Sequence, residues 1–213
     1  LAAGDRLVIV RDPAAFTPVE HADIIGFFEN DTALSNGGER IALVDYLGAT
    51  IFDFHYRDDH SWSSFPDGGG PSLTLIAPGE ATDLSDPASW RSSSFPGGTP
   101  GATDSTTFSG DPAADDNGNG IFNLVEYAVG GRIETDFTAV GEETFLTLEY
   151  DQNLGSDDVV VIIESSSDLI SWTPLTTRRL KSYNSNGTVT VSMRSDESLS
   201  TVRQFLRVRV VSR

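Results

Sequence analysis

Cysteine is absent from this 213-residue chain, so it can have neither a disulfide framework nor thiolate chemistry. That absence fits exported bacterial proteins and cytosolic ones alike. No apolar run approaches the length needed to span a bilayer, which argues against membrane insertion. Basic residues are scarce: 14 Lys and Arg stand against 32 Asp and Glu, for a formal charge of −18. A surface so acidic excludes nucleic acid and anionic membranes as partners, because phosphate recognition needs a basic face. It suits a soluble, salt-tolerant protein with affinity for divalent cations. The first residue is Leu1, with neither an initiator Met nor a signal peptide, and the expectation is a mature or trimmed chain.

Catalytic signatures are missing too. There is no G-x-S-x-G elbow, no H-E-x-x-H and no phosphate-binding Walker loop, and the expectation is that the chain is not an enzyme. Only three histidines occur: His21, His55 and His60. His55 and His60 lie beside Asp53, Asp58 and Asp59, but their spacing fits no transition-metal pattern. His55 alternates with Phe54 and Tyr56, which predicts a solvent-facing strand position. Paired acids such as Asp58-Asp59, Asp115-Asp116 and Asp157-Asp158 arise freely in so acidic a chain and read as solvated loops. Trp62, Trp90 and Trp172 could form a carbohydrate-stacking platform, although large aromatics in β-proteins more often anchor cores and loops.

What is present is a calcium-loop pattern over residues 115–126, DDNGNGIFNLVE. Asp115, Asn117 and Asn119 fall at alternate positions, so their side-chain oxygens can converge on one point. Gly120 falls at the sixth position, where the loop turns sharply and a Cβ is expected to clash. The Ile121 carbonyl would supply the seventh-position ligand, Asn123 the ninth (often through water) and Glu126 a bidentate twelfth. Calcium, a hard cation that takes six to eight oxygens, is therefore the expected cofactor. Two neutral amides where aspartates are common imply modest affinity. Ile121, Leu124, Val125, Ala128 and Val129 follow as an apolar helical stripe, and Gly130-Gly131 supplies the stop. The segment before the loop holds Gly110 and Pro112 and is not helical. Such a half EF-hand resembles the dockerin-type loops of secreted bacterial proteins.

Elsewhere the period is two. Strands are expected over residues 6–10, 39–45, 49–56, 72–76, 145–150, 159–164, 188–193 and 205–210. The last alternates Leu206, Val208 and Val210 with Arg207 and Arg209. Residues 78–116, rich in Ser, Gly, Pro, Asp and Thr, read as loop and linker. The fold class expected is all-β: two immunoglobulin-like β-sandwiches bridged by a calcium loop and one short helix. The divisions are a sandwich over 1–101, a linker with loop and helix over 102–131, and a second sandwich over 132–213.

Residues 34–43 (LSNGGERIAL), followed by Tyr56-Arg57-Asp58-Asp59, Trp62, Pro66-Asp67-Gly68, Ser72-Leu73, residues 86–90 (DPASW) and residues 97–101 (GGTPG), together resemble the later half of a bacterial lamin-tail domain. That resemblance implies an immunoglobulin-like sandwich whose earlier strands, ahead of residues 4–10, are missing. An exposed edge along residues 6–10 is the expected consequence, its missing strands either supplied by a neighbouring chain or cut away from this one. Residues 115–213 resemble the C-terminal tails of large secreted proteins of planctomycete- and verrucomicrobium-like bacteria, where a calcium loop ending in Glu-Tyr precedes a sandwich with a Ser-Ser-Asp-Leu-x-x-Trp element, here residues 166–172. Together these imply a non-catalytic, extracellular or cell-surface protein with a structural or adhesive role. Its partners would be other protein chains, copies of itself among them. A filament subunit completed by neighbouring strands and a carbohydrate-binding module of a secreted enzyme are the two alternatives.

Overall fold

A computed structural model describes residues 5–14, 16, 23–27, 33–59, 61–78 and 82–213. The protein is mostly β, with several separate sheets and, among the described residues, one α-helix. The chain divides into two compact units, Leu1–Asp104 and Ser105–Arg213.

Among its described residues, unit 1 holds three strand pairs. β1 (Leu7–Val10) lies parallel to β2 (Asp23–Phe27), which gives one side of the 6–10 strand a neighbour from its own chain. β3 (Gly38–Val44) and β4 (Thr50–Arg57) form a hairpin whose turn is closed by the Asp45 carboxylate, which accepts from the Leu47 and Ala49 N–H groups. Alternation sorts the hairpin's faces: Ile41, Leu43, Phe52, Phe54 and Tyr56 turn inward, and Arg40, Asp53, His55 and Arg57 outward. His55 is exposed, as its position in the strand predicts. His21 and His60 lie outside the described residues.

β5 (Pro71–Leu75) pairs with β6 (Trp90–Pro96), and here the sequence reading needs correcting, because β6 lies inside the stretch expected to be loop and linker. Its centre is Ser92-Ser93-Ser94, all buried. A strand of serines shows no apolar periodicity. It is tolerated because its hydroxyls are satisfied: Ser92 bonds Ser63, Ser93 bonds the Phe95 carbonyl and the Ser72 N–H, and Ser94 bonds Asp104. Arg91 and Asp104 form a buried ion pair, their side chains 10% and 3% exposed. Trp90 stacks on Phe54 at 5.3 Å, meets Trp62 at 6.2 Å and donates its indole N–H to the Leu84 carbonyl. The aspartate of the DPASW stretch, Asp86, caps the short 3-10 turn that delivers Trp90 to that position.

Unit 2 contains a four-stranded antiparallel sheet in the order β11-β12-β8-β7 and a three-stranded antiparallel sheet in the order β10-β9-β13. The strands are β7 (Ile133–Val140), β8 (Glu143–Asn153), β9 (Val159–Ser166), β10 (Thr173–Pro174), β11 (Arg178–Asn184), β12 (Thr188–Arg194) and β13 (Phe205–Ser212). Leu148, Tyr150, Val189, Val191 and Met193 of the first sheet and Val159 and Ile163 of the second are buried. The single helix α1 (Asn123–Val129) packs on β8, β9 and β13 and so touches both sheets. Residues 105–131, expected to be mostly linker, are fastened to this unit. The Thr106 N–H donates to the Gly155 carbonyl at 2.7 Å, and the Phe108 N–H to Asp158 at 2.8 Å. No helix among the described residues is long and apolar enough to cross a membrane.

Candidate metal centre

The loop ahead of α1 is drawn inward by its own side chains. The Asp115 carboxylate accepts from the backbone N–H of Asn119 (3.1 Å) and of Gly120 (2.8 Å). Asn117 Oδ1 accepts from the Asn119 N–H, and Asn119 Oδ1 from the Ile121 N–H. Each is an Asx-type turn that bends the backbone toward the preceding side chain. The bend brings Asn117 Nδ2 to 2.8 Å and Asn119 Nδ2 to 2.6 Å from a single atom, Glu126 Oε1 on the first turn of α1. Gly120 has φ +87°, in the left-handed region, but a Cβ there would meet no atom within 4 Å. The expected clash is therefore replaced by a conformational requirement: the glycine is needed for its backbone angle.

Asn123 is engaged elsewhere. Its Oδ1 accepts from the Asp116 N–H at 3.1 Å, and its Nδ2 donates to the Asp116 carboxylate at 2.9 Å and to the Asp111 carbonyl at 3.4 Å. With the Asn123 N–H bonded to the Ala114 carbonyl, this clasp closes the base of the loop where the chain enters the helix. The part Asp116 plays in this clasp left no signal in the sequence, because it sits at a position the loop pattern leaves unconstrained.

α1 carries the loop's rigid end. Ala128 and Val129 are 0% and 1% exposed, and Gly130 ends the helix in the left-handed conformation at φ 57°. Next to Glu126, the Tyr127 hydroxyl lies 2.7 Å from Asp158 Oδ1 and 2.9 Å from the Thr106 carbonyl, its one proton facing both acceptors. Burial first, then the Asp158 hydrogen bond, pushes this phenol up to about 12. Asp157 bonds Ser105. The Asp157-Asp158 pair, expected to be a solvated loop, is thus the anchor that holds residues 105–108 and the metal-loop helix to unit 2.

As a donor set, Asp115, Glu126 and the Ile121 carbonyl offer oxygen as they stand, and Asn117 and Asn119 would offer it toward Glu126 once their amides turn over, giving up their bonds to the Asn119 and Ile121 N–H groups. Nitrogen and oxygen of an amide are near-isosteric, so a half-turn about χ2 places two carbonyl oxygens where the Nδ2 atoms now face Glu126. Such a set suits a hard cation and offers no imidazole or thiolate for zinc.

The tryptophans are committed elsewhere. Trp62 is buried at 8% exposure, Trp90 is in the Phe54 stack, and Trp172 lies under the Arg207 guanidinium at 4.2 Å. The last arrangement explains the SSDLISW element. Asp168 Oδ1 accepts from the Ile170 and Ser171 N–H groups, and Ser166 Oγ from the Leu169 N–H, with Leu169 at φ 63°. The turn so formed folds Trp172 back onto Arg207. Arg207 and Arg209 in turn both bind the carboxylate of Glu164, whose pKa lies below the usual carboxylate value because of Arg209 first and Arg207 with it.

In unit 1 an open cleft of about 320 Å³ is lined by Leu34, Tyr56, Arg57, Asp67, Pro71 and Leu73 among others. Its phenol, Tyr56, bonds the Ser35 carbonyl and Glu39, and burial followed by the Glu39 charge raises it to about 12. A phenol so far from neutrality is ill matched to proton transfer at neutral pH. Compared with known families, characterised proteins and solved structures, the chain finds no match.

Proposed function

We propose that the protein is a non-catalytic, extracellular or cell-surface structural protein whose second unit is stabilised by one calcium ion. The observation that carries this reading is the meeting of Asn117 and Asn119 on Glu126 Oε1, behind a glycine held at positive φ. The amide N–H groups of Asn117 and Asn119 lie where a cation would sit against the Glu126 carboxylate. Calcium would draw their oxygens inward, with Asp115, the Ile121 carbonyl and Glu126 completing the protein ligands and water the remainder. Asn123 keeps the base closed through Asp116. Two carboxylates and two neutral amides form a modest-affinity shell, which fills where calcium is millimolar, outside the cell.

With this reading goes a finer fold: unit 2 as an immunoglobulin-like sandwich of four and three strands, and unit 1 as the later half of a lamin-tail-like sandwich. One loop with one helix has no second helix to open against, so the ion would hold structure and would not signal. Calorimetric titration and thermal melting test the site. At millimolar calcium and an affinity of ~10⁻⁵ M, linkage amounts to about 2.7 kcal/mol. A melt unchanged by chelation of demonstrably loaded protein, or a Glu126→Gln variant that binds calcium as tightly as the parent, would sink it.

A further inference from the structure

We propose that unit 2 joins copies of itself head to tail, β7 of one copy pairing with β11 of the next. These strands are the two edges of the four-stranded sheet, and among the described residues each has a single strand neighbour. β7 is exposed from Glu134 to Val140. The other sheet ends on one side at β10, a two-residue strand containing Pro174, which is a blunted edge, and on the other at β13, so only the four-stranded sheet offers two long edges.

Three features of the register fit a second copy. The first is direction. Four successively antiparallel strands leave β7 and β11 antiparallel, so a copy displaced along the sheet continues the antiparallel pattern. The second is hydrogen-bonding parity. The Asp151 N–H donates to the Arg132 carbonyl, so Arg132 and Glu134 turn their backbone groups toward β8 and Ile133 and Thr135 turn theirs to the open edge. The Arg194 N–H donates to the Thr177 carbonyl, so Arg178 and Leu180 of β11 likewise face outward. Rows of paired residues cross the sheet: Leu180–Val191–Tyr150–Ile133, Arg179–Ser192–Glu149–Glu134 and Arg178–Met193–Leu148–Thr135. Continuing each row into the next copy sets Ile133 against Leu180 and Thr135 against Arg178, the pairs whose backbone groups face each other.

The third feature is charge. The same continuation sets Glu134 against Arg179 as a non-hydrogen-bonded pair, the closer kind of cross-strand neighbour. Arg132 already holds Glu134 Oε2 at 2.8 Å, leaving Oε1 for a second guanidinium. Pairing like edges would instead bring the basic Arg178, Arg179 and Lys181 of two β11 strands together, or the acidic Glu134 and Asp136 of two β7 strands. The register shift between Leu180 and Ser182 ends the matched stretch. A contact between two different edges does not close on itself, so repetition gives a linear chain.

None of these residues belongs to the calcium loop. A chain that binds calcium and stays monomeric therefore rejects this proposal alone. For the 213-residue chain, sedimentation over a range of concentrations is expected to show a stepwise series of oligomers that shrinks with added salt. Glu134→Arg or Arg179→Glu alone should weaken association at least tenfold, and the double exchange should restore it. Because the chain has no cysteine, Asp136→Cys with Thr177→Cys probes the register directly, since both belong to the row through Thr147 and Arg194. Oxidation should yield a ladder of dimers, trimers and longer chains, and either single-cysteine variant should yield none. A monodisperse monomer at every concentration, dimers from a single-cysteine variant, or association indifferent to both charge reversals in folded protein would overturn the proposal.

Discussion

An alanine at Gly120 would find open space around its Cβ, yet the backbone there sits at φ +87°. The left-handed region costs an L-residue about 1–2 kcal/mol, whether or not anything is touched. Gly120→Ala should therefore weaken calcium binding about tenfold, since about 1.4 kcal/mol is a factor of ten, while leaving the strands of unit 2 intact. Titration calorimetry beside a circular-dichroism spectrum separates the two effects. Glu164 offers a test of a different kind. Its carboxylate is held below its usual pKa by hydrogen bonds from Arg209 and Arg207. The stabilisation is present above the unfolded carboxylate pKa of about 4.3 and is lost as pH falls through the lower folded value. Glu164→Gln should flatten the acid limb of stability against pH, and an acid limb as steep as the parent's would show that the Arg–Glu–Arg cluster is not its source.

Among the elements, the strands legible from sequence were those whose apolar residues alternate or run together: β1, β3, β4, β5, β8, β9, β12 and β13. β6 escaped because its buried centre is serine, stabilised by hydroxyl hydrogen bonds that leave no hydrophobic trace. β7 and β11 escaped because they are edge strands, where exposure removes the need for apolar residues. The convergence of Asn117 and Asn119 on Glu126 was legible because these residues are close in sequence and their spacing sets where they point. The loop's anchor was not, since Tyr127 reaches Asp158 across 31 residues and Phe108 reaches the same carboxylate across 50. That anchor can be tested by removing one oxygen. Tyr127→Phe deletes hydrogen bonds to a carboxylate and a carbonyl, and bonds to charged groups are worth about 1.5–3 kcal/mol. The thermal midpoint should fall, and residues 105–131 should exchange amide hydrogens faster while β12 keeps its protection. Uniform acceleration throughout unit 2 would mean that the loop and helix are not a separately anchored element.

For the whole molecule, the two ways of dividing the chain make opposite predictions. Periodicity alone begins the second sandwich at Arg132, after the helix; in the structure the second unit begins at Ser105. The difference is α1 and the segment that leads to it. Cutting at residue 132 removes the buried Ala128 and Val129 from the surfaces of β8, β9 and β13, and Tyr127 from Asp158. Fully burying a valine side chain is worth about 1.5–3 kcal/mol, and the Tyr127 bonds add a similar amount. Against a typical domain stability of about 5–15 kcal/mol, that loss takes most of the margin. A fragment of residues 105–213 should therefore melt cooperatively and gain stability from calcium, whereas 132–213 should melt far lower or not at all and ignore the ion. Equal, cooperative melts from the two fragments would place α1 outside the folding unit. They would also break the link between the calcium loop and the sheets, since an ion bound to an undocked helix has nothing in the β-structure to stabilise.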